Sequence, residues 1–322
     1  AAGAGNLATT MNSNYTVNSL AISSPGVSIG GANTLTVNST ASTAIAVSAA
    51  SGSTTISANL AGASAGLTKT GAGTLTLSGA NTFGGGLSMS AGTLNLNSST
   101  AAGNGAITIS GGTLDNTSGS AKTLSNNNAQ NWNGDFTYNS TKDLNMGTGA
   151  VTMNASRTVT VNSGTLTVGN MRGVGYSLTK NGSGTLTISS QGSGLWTGNT
   201  TVNSGTLHEI VTVNAAGISS SNKFINNGST MILSQNTGSQ FSINGLNATM
   251  DATGGATLTL GGSVTGSVTN IIINSGYITL RTLGGAQNVL NSSAGGYFNS
   301  QGGAGVGVIF DVAAGSSPVD LL

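Results

Sequence analysis

The chain has 322 residues, and glycine (52), threonine (46), serine (45) and asparagine (37) together make up more than half of it. Charged residues account for 5%, the formal net charge is +1 and there is no cysteine, whereas about a quarter of an ordinary soluble domain is charged. This composition excludes a helical bundle, a cysteine-based zinc site and a nucleic-acid binder with a basic face.

Short runs in which apolar and polar residues alternate recur along the chain, and hydrophobic residues make up 37% of it. This pattern argues against the disorder that a Gly/Ser/Asn-rich composition would otherwise suggest. Strict alternation is typical of strands with one buried face. The sequence therefore predicts an all-β protein. Its first strand-like segment is 15–22, and its clearest alternating runs are at 74–77, 106–109, 158–161 and 257–260.

The tripeptide Gly-Thr-Leu recurs with a period near 20 residues. One short strand and one Asn/Gly turn per period predict a single-chain parallel β-helix (β-solenoid) of about 15 coils with a period of about 20 residues. The prediction covers 1–322 as one domain, with the clearest repeats at 66–96 and 176–210 and variant coils at 113–163 and 211–322. The tripeptide begins at Gly73, Gly92, Gly112, Gly164, Gly184 and Gly205.

Residues 66–83, Gly-Leu-Thr-Lys-Thr-Gly-Ala-Gly-Thr-Leu-Thr-Leu-Ser-Gly-Ala-Asn-Thr-Phe, resemble the autotransporter-associated β-strand repeat and continue as that repeat does to Leu94. A second copy begins at 177–186 and closes at 202–207, although 189–196 replace the usual turn. Residues 131–161 resemble a segment of large surface proteins that carry this repeat. The resemblance implies a secreted or surface-exposed bacterial passenger folded as a β-helix.

The sequence offers no cofactor or metal site, and no apolar run approaches the roughly 18 residues of a membrane-spanning helix. A calcium-binding repeat needs an aspartate after its glycines, and the glycine-rich stretch 302–307 lacks one. We predict neither a cofactor nor a transmembrane segment, and no nucleic-acid partner.

A polysaccharide-degrading β-helix enzyme is the competing class, and it would need paired carboxylates. Asp115 and Asp135 lie 20 residues apart, which suggests adjacent coils. Aligning Gly112 with Gly134 instead places Asp115 beside Thr137 and separates the two acids. The prediction is therefore that the protein is not an enzyme.

The pair His208-Glu209 is the densest polar feature of the sequence. If the alternation continues from Leu207, His208 points outward and Glu209 points inward. Glu209 then takes the inward position that Ile188 holds in another coil. Because a buried carboxylate must be paired or protonated, the favoured interpretation is that the strand ends or bulges and Glu209 reaches solvent.

Two surface functions stay open as alternatives. Outward Thr-x-Thr pairs, interrupted at Asn95, Asp115 and His208, resemble the arrays of ice-binding proteins. Trp132, Tyr138 and Trp196, with His208, are candidates for glycan binding, as in an adhesin; aromatic side chains that fill corner gaps are the simpler interpretation. The aromatic residues are far apart in sequence, so one groove is not predicted.

The two ends of the chain carry strand-like apolar segments without charged caps, and unpaired strand edges invite pairing. Either the polypeptide is longer, or copies pair head to tail into filaments. The predicted partners are therefore copies of this chain or the rest of a longer surface protein. The predicted function is a structural, extracellular module of a bacterial surface fibre. The candidate assembly residues are Tyr15, Val17, Leu20, Ile22, Val308, Phe310, Val319 and Leu321.

Overall fold

The computed structural model describes residues 8–39, 41, 43–140, 142–191, 196–211, 222–226, 228–235, 240–250, 256–263, 270–282, 289–292, 297–300, 307–312 and 320–321. Side chains are described within these ranges except at 190, 191, 235, 240–247, 250 and beyond 260. The chain divides into two compact units, Ala1–Thr152 with Ser163–Leu166, and Met153–Asn162 with Thr167–Leu322. A single domain over 1–322 stays a prediction.

The first unit is built from short strands separated by glycine and asparagine turns. Its strands are β1 (Ala8–Thr10), β2 (Tyr15–Val17), β3 (Leu20–Ile22), β4 (Ser28–Gly30), β5 (Thr34–Val37), β6 (Ile45–Val47), β7 (Ser53–Ile56), β8 (Asn59–Ala61), β9 (Leu67–Lys69), β10 (Thr74–Leu77), β11 (Leu87–Met89), β12 (Thr93–Leu96), β13 (Ile107–Ile109), β14 (Thr113–Asp115), β15 (Lys122–Thr123), β16 (Gln130–Trp132), β17 (Phe136–Asn139) and β18 (Leu144–Asn145).

These strands stack in parallel sheets that run along the unit. Within this unit one sheet includes the order β1-β4-β7-β10-β12-β14-β17 and a second includes β3-β6-β9-β11-β13-β16, whereas β2-β5-β8 form a short third sheet and β15 pairs with β18. Successive strands of a sheet come from successive coils. Paired residues lie from 19 positions apart, at Thr74 and Thr93, to 27 apart, at Ser28 and Thr55.

Inward side chains of successive coils form apolar columns. Ile56, Leu77 and Leu96 are in register on β7, β10 and β12 and are fully buried. Each such side chain contributes about 1.5–3 kcal/mol through burial. Threonine occupies the alternate, half-exposed positions, where its β-branched side chain suits a pleated surface.

The second unit repeats this architecture. Three strands span the unit boundaries in sequence: β19 (Val151–Met153), β20 (Arg157–Ser163) and β21 (Thr165–Val168). The remaining strands are β22 (Met171–Arg172), β23 (Leu178–Asn181), β24 (Thr185–Gln191), β25 (Thr200–Val202), β26 (Thr206–Val211), β27 (Asn222–Ile225), β28 (Thr230–Gln235), β29 (Gln240–Met250), β30 (Thr257–Ser263), β31 (Asn270–Thr282), β32 (Val289–Ser292), β33 (Tyr297–Ser300), β34 (Gly307–Val312) and β35 (Asp320–Leu321).

Two long parallel sheets face each other across the core of the second unit. One has the order β23-β25-β27-β29-β31-β33, with β34 also paired to β31, and the other β24-β26-β28-β30-β32-β35. Leu186, Leu207, Met231 and Leu258 form a fully buried column of the second sheet.

The described residues form strands and turns and no helix, and the parallel stacking confirms the predicted β-solenoid. The period is about 22 residues, so the coils are slightly longer and fewer than the predicted 15 coils of 20 residues. The difference arises where corner loops lengthen, which the spacing of Gly-Thr-Leu alone does not reveal. Within the described part of the chain, no helix has the length and apolar character needed to cross a membrane.

Candidate functional site

The most unusual chemistry of this nearly uncharged protein lies inside its core, where three lysines are buried. Lys69 ends β9 and Lys180 lies in β23, at the same position of the two clearest repeats. In each case the alternation that buries the leucine two residues earlier also turns the lysine inward. The inward lysine is therefore a property of the repeat.

Both lysines make the same contacts with the backbone. Lys180 Nζ donates to the carbonyl of Gly182 at 2.7 Å and to that of Ser204, one coil further on, at 3.0 Å. Lys69 Nζ donates likewise to the carbonyls of Gly71 and Ala91. An ammonium group in this position links two successive coils through charge-assisted hydrogen bonds.

Burial makes the charged form of these lysines less favourable. It lowers the pKa of Lys180 from 10.5 to about 8 and also lowers the pKa of Lys69, because the core cannot solvate an ammonium ion as water does.

The third buried lysine meets the only glutamate of the chain. Glu209 lies within β26 with 1% of its side chain exposed, and Lys223 Nζ lies 3.2 Å from its Oε1. The interpretation that Glu209 reaches solvent is therefore wrong. The strand continues to Val211, so the residue keeps its inward position opposite Ile188, and Lys223 provides the partner that a buried carboxylate needs.

His208 points to the outer face of the same strand, as predicted, and is half-buried. Its Nε2 lies 2.6 Å from Ser234 Oγ on β28. Desolvation lowers the pKa of His208 below its usual 6.5, so the imidazole is neutral at neutral pH. Because Ser234 is only 5% exposed, this contact serves packing better than attack on a substrate.

The three aromatic candidates for glycan binding are buried, so their surface role is corrected. Trp132 is fully buried and meets Phe136 edge to face at 5.0 Å. Trp196 is 1% exposed and donates from Nε1 to the carbonyl of Tyr176. Tyr138 is fully buried, its hydroxyl donates to the carbonyl of Lys142, and desolvation raises its pKa to about 12. None can stack its ring on a sugar, because each ring is enclosed in the core.

The predicted register of the acidic residues is also corrected. Thr137 pairs with Thr113, not with Asp115, because the coil between them has 24 residues. Asp115 lines a cleft of about 370 Å³ together with Asn139 and Lys142, and Asp135 is not among the lining residues. Across the ranges for which side chains are described, no three histidine, aspartate or glutamate residues cluster as a metal site requires.

The candidate assembly residues fall in different environments. Tyr15 is 48% exposed on β2, Val17 and Leu20 are half-buried, and Ile22 is 5% exposed in β3. Val308 and Phe310 belong to β34 and Leu321 to β35. The side chains of these last three, and Val319 altogether, lie outside the described residues. Pairing between copies through these residues stays a prediction.

Sequence reasoning missed the inward lysines and the contact between His208 and Ser234. The signal for the lysines was present in the alternation, since Leu67 and Lys69, Leu178 and Lys180, and Lys223 and Ile225 share a face. The general rule that charged side chains are rarely buried led us to disregard this signal. The His208 partner lies 26 residues away, and no local pattern marks it.

Comparison with known proteins agrees with this geometry in two places. Residues 67–96 and 178–208 match the model of the passenger-associated transport repeat, which confirms the resemblance at the repeats that the sequence predicted. The matches cover about a fifth of the chain. No curated protein and no solved structure gives a significant match to it.

Proposed function

We propose that this chain, two segments of which match the passenger-associated transport repeat, is a rigid structural module of an extracellular bacterial surface protein. The observation that carries the proposal is that both matched segments are integral coils of a parallel β-solenoid and carry the same buried lysine. The repeat is therefore used as a building unit of the core.

The mechanism is mechanical. Parallel strands pair along each unit and expose few strand edges to unfolding or to proteases. With charged residues at 5%, the surface carries few ion pairs that salt could screen. Such a module holds whatever is attached to it at a distance from the cell.

Surface labelling of intact cells tests this proposal. Cells that produce the protein are treated with a membrane-impermeant amine reagent and with an antibody against the chain. We expect labelling before lysis, with a periplasmic protein as the unlabelled control. Labelling only after lysis would contradict an extracellular role.

One specific observation favours a second function, the binding of a hydroxyl-rich polysaccharide. Thr74, Thr93, Thr113 and Thr137 are in register on four adjacent strands and half-exposed. Neighbouring strands lie about 4.8 Å apart, so the hydroxyl groups form a regular row. The strands of Thr113 and Thr137 also carry Asp115 and Asn139, which line the cleft described above, and carboxylate and amide groups hydrogen-bond well to sugar hydroxyls.

Pull-down of the full chain on insoluble polysaccharides tests the second function. We expect Thr93→Val with Thr113→Val to lower binding several-fold, since valine keeps the shape and removes the hydroxyl group. Thr68→Val with Thr108→Val, on the half-exposed face of β9 and β13, is the matched control. If the chain inhibits ice growth but binds no glycan, the threonine row binds ice instead of polysaccharide. If both double variants bind polysaccharide equally well, the threonine row is not the binding site.

A further inference from the structure

The Glu209–Lys223 contact differs from an ordinary ion pair in its complete enclosure. Glu209 enters the core from one sheet of the second unit and Lys223 from the other. Lys223 Nζ lies 3.2 and 3.5 Å from the two carboxylate oxygens. The two side chains are 1% and 0% exposed, so both reacting groups are fixed without solvent.

The surroundings of the pair are apolar or weakly polar. Lys223 Nζ donates to Thr200 Oγ1 at 2.9 Å and lies 4.9 Å from the centre of the Trp196 ring. Ile188 and Leu233 flank Glu209 in register on the neighbouring strands. A charged pair gains little in such a site, because the cost of removing two ions from water can exceed their attraction.

From this geometry we propose that Lys223 and Glu209 condense into an internal amide cross-link. The Lys223 Nζ–Glu209 Cδ bond forms and one Cδ–Oε bond breaks. The departing oxygen leaves with two protons from the nitrogen as water, so the ion pair already holds every atom and proton that the reaction needs. Nothing is oxidised or reduced.

Two physical effects drive the reaction. Holding amine and carboxyl in contact removes most of the entropic cost of bringing them together, and a core that excludes water favours the product that releases water. The chain has no cysteine, so it cannot form a disulfide. The amide would instead close the loop between β26 and β27 covalently.

Protease mapping of the full chain, purified and then denatured, tests the cross-link. Because Glu209 is the only glutamate, glutamate-specific protease cuts at this site only if the carboxylate is free. Trypsin cuts after Lys223 only if the amine is free. We expect neither cut, and a tryptic peptide spanning 181–281 that is lighter than its sequence by the mass of one water molecule.

The chain supplies its own matched control. Lys180 is equally buried but donates to backbone carbonyls, so trypsin should cut after it in the same sample. Lys223→Arg, whose guanidinium does not condense, should restore the full mass and the cut after Glu209. Full mass with complete cleavage after both Glu209 and Lys223 in the wild-type chain would overturn the proposal.

Discussion

Gly205→Ala is expected to destabilise the second unit by about 3–5 kcal/mol, whereas Gly228→Ala should cost only about 1–2 kcal/mol. Both glycines have a φ of +66°, so both substitutions impose the same backbone strain. They differ in the space around the added Cβ. At Gly205 it would lie 2.4 Å from the carbonyl oxygen of Gly182 and 2.5 Å from that of Gly184, whereas at Gly228 no atom of the described residues lies within 4 Å.

Urea unfolding followed by the fluorescence of Trp196 measures this difference, with the Trp132 signal removed by a Trp132→Phe background common to all variants. The comparison isolates the close approach of successive coils. If both variants lose the same free energy of unfolding, backbone strain alone accounts for the destabilisation. The coils would then be able to move apart at Gly205 to admit the added Cβ.

The second large effect is expected at Lys180. Lys180→Ala should cost about 3–5 kcal/mol at neutral pH, because it leaves a cavity and removes two hydrogen bonds between coils. Lys180→Met keeps most of the volume and should cost less. Its column neighbours Val202 and Ile225 are apolar and buried, so the longer apolar side chain fits the surroundings.

The same residue predicts how stability depends on pH. In the unfolded chain Lys180 keeps its proton up to about pH 10.5, whereas in the folded chain it loses the proton near pH 8. Between these values the unfolded state binds more protons, so stability rises with pH. Below pH 8 both states are protonated, and Lys180 contributes no slope.

Thermal unfolding at several pH values between 7 and 10.5 measures this contribution. The rise should be smaller in Lys180→Met and in Lys180→Arg, since neither side chain titrates in this range. Lys69→Met should have a similar effect in the first unit, because Lys69 shares the geometry and the direction of the pKa shift. If the stability of Lys180→Met rises with pH as steeply as that of the wild-type chain, groups other than Lys180 cause the pH dependence.

Glu209 shows why sequence reasoning failed at the core. The alternation placed Glu209 inward correctly, and the cost of burying a carboxylate then favoured the wrong conclusion. Its partner Lys223 lies 14 residues further along the chain, on a different sheet. Only the closure of a coil brings the two together, and that geometry depends on loop lengths that periodicity does not report.

The aromatic residues illustrate the same limit. Trp132 and Tyr138 lie at inward positions of β16 and β17, and knowing this requires the register of strands whose coils are longer than the average. The in-register row of Thr74, Thr93, Thr113 and Thr137 is the opposite case. The outward threonine pattern was predicted from sequence, but the row that includes Thr137 was visible only once the 24-residue coil was aligned.

The sequence by itself determined the all-β class, the solenoid and the two repeats, because strand alternation and turn glycines are local and recur in every coil. The tertiary structure decided which polar groups meet: Lys180 with the carbonyl of Ser204, His208 with Ser234, and Glu209 with Lys223. Such contacts join residues of different coils or sheets. They depend on the length of each corner loop, and a change of one residue in a strand's register moves every side chain to the other face.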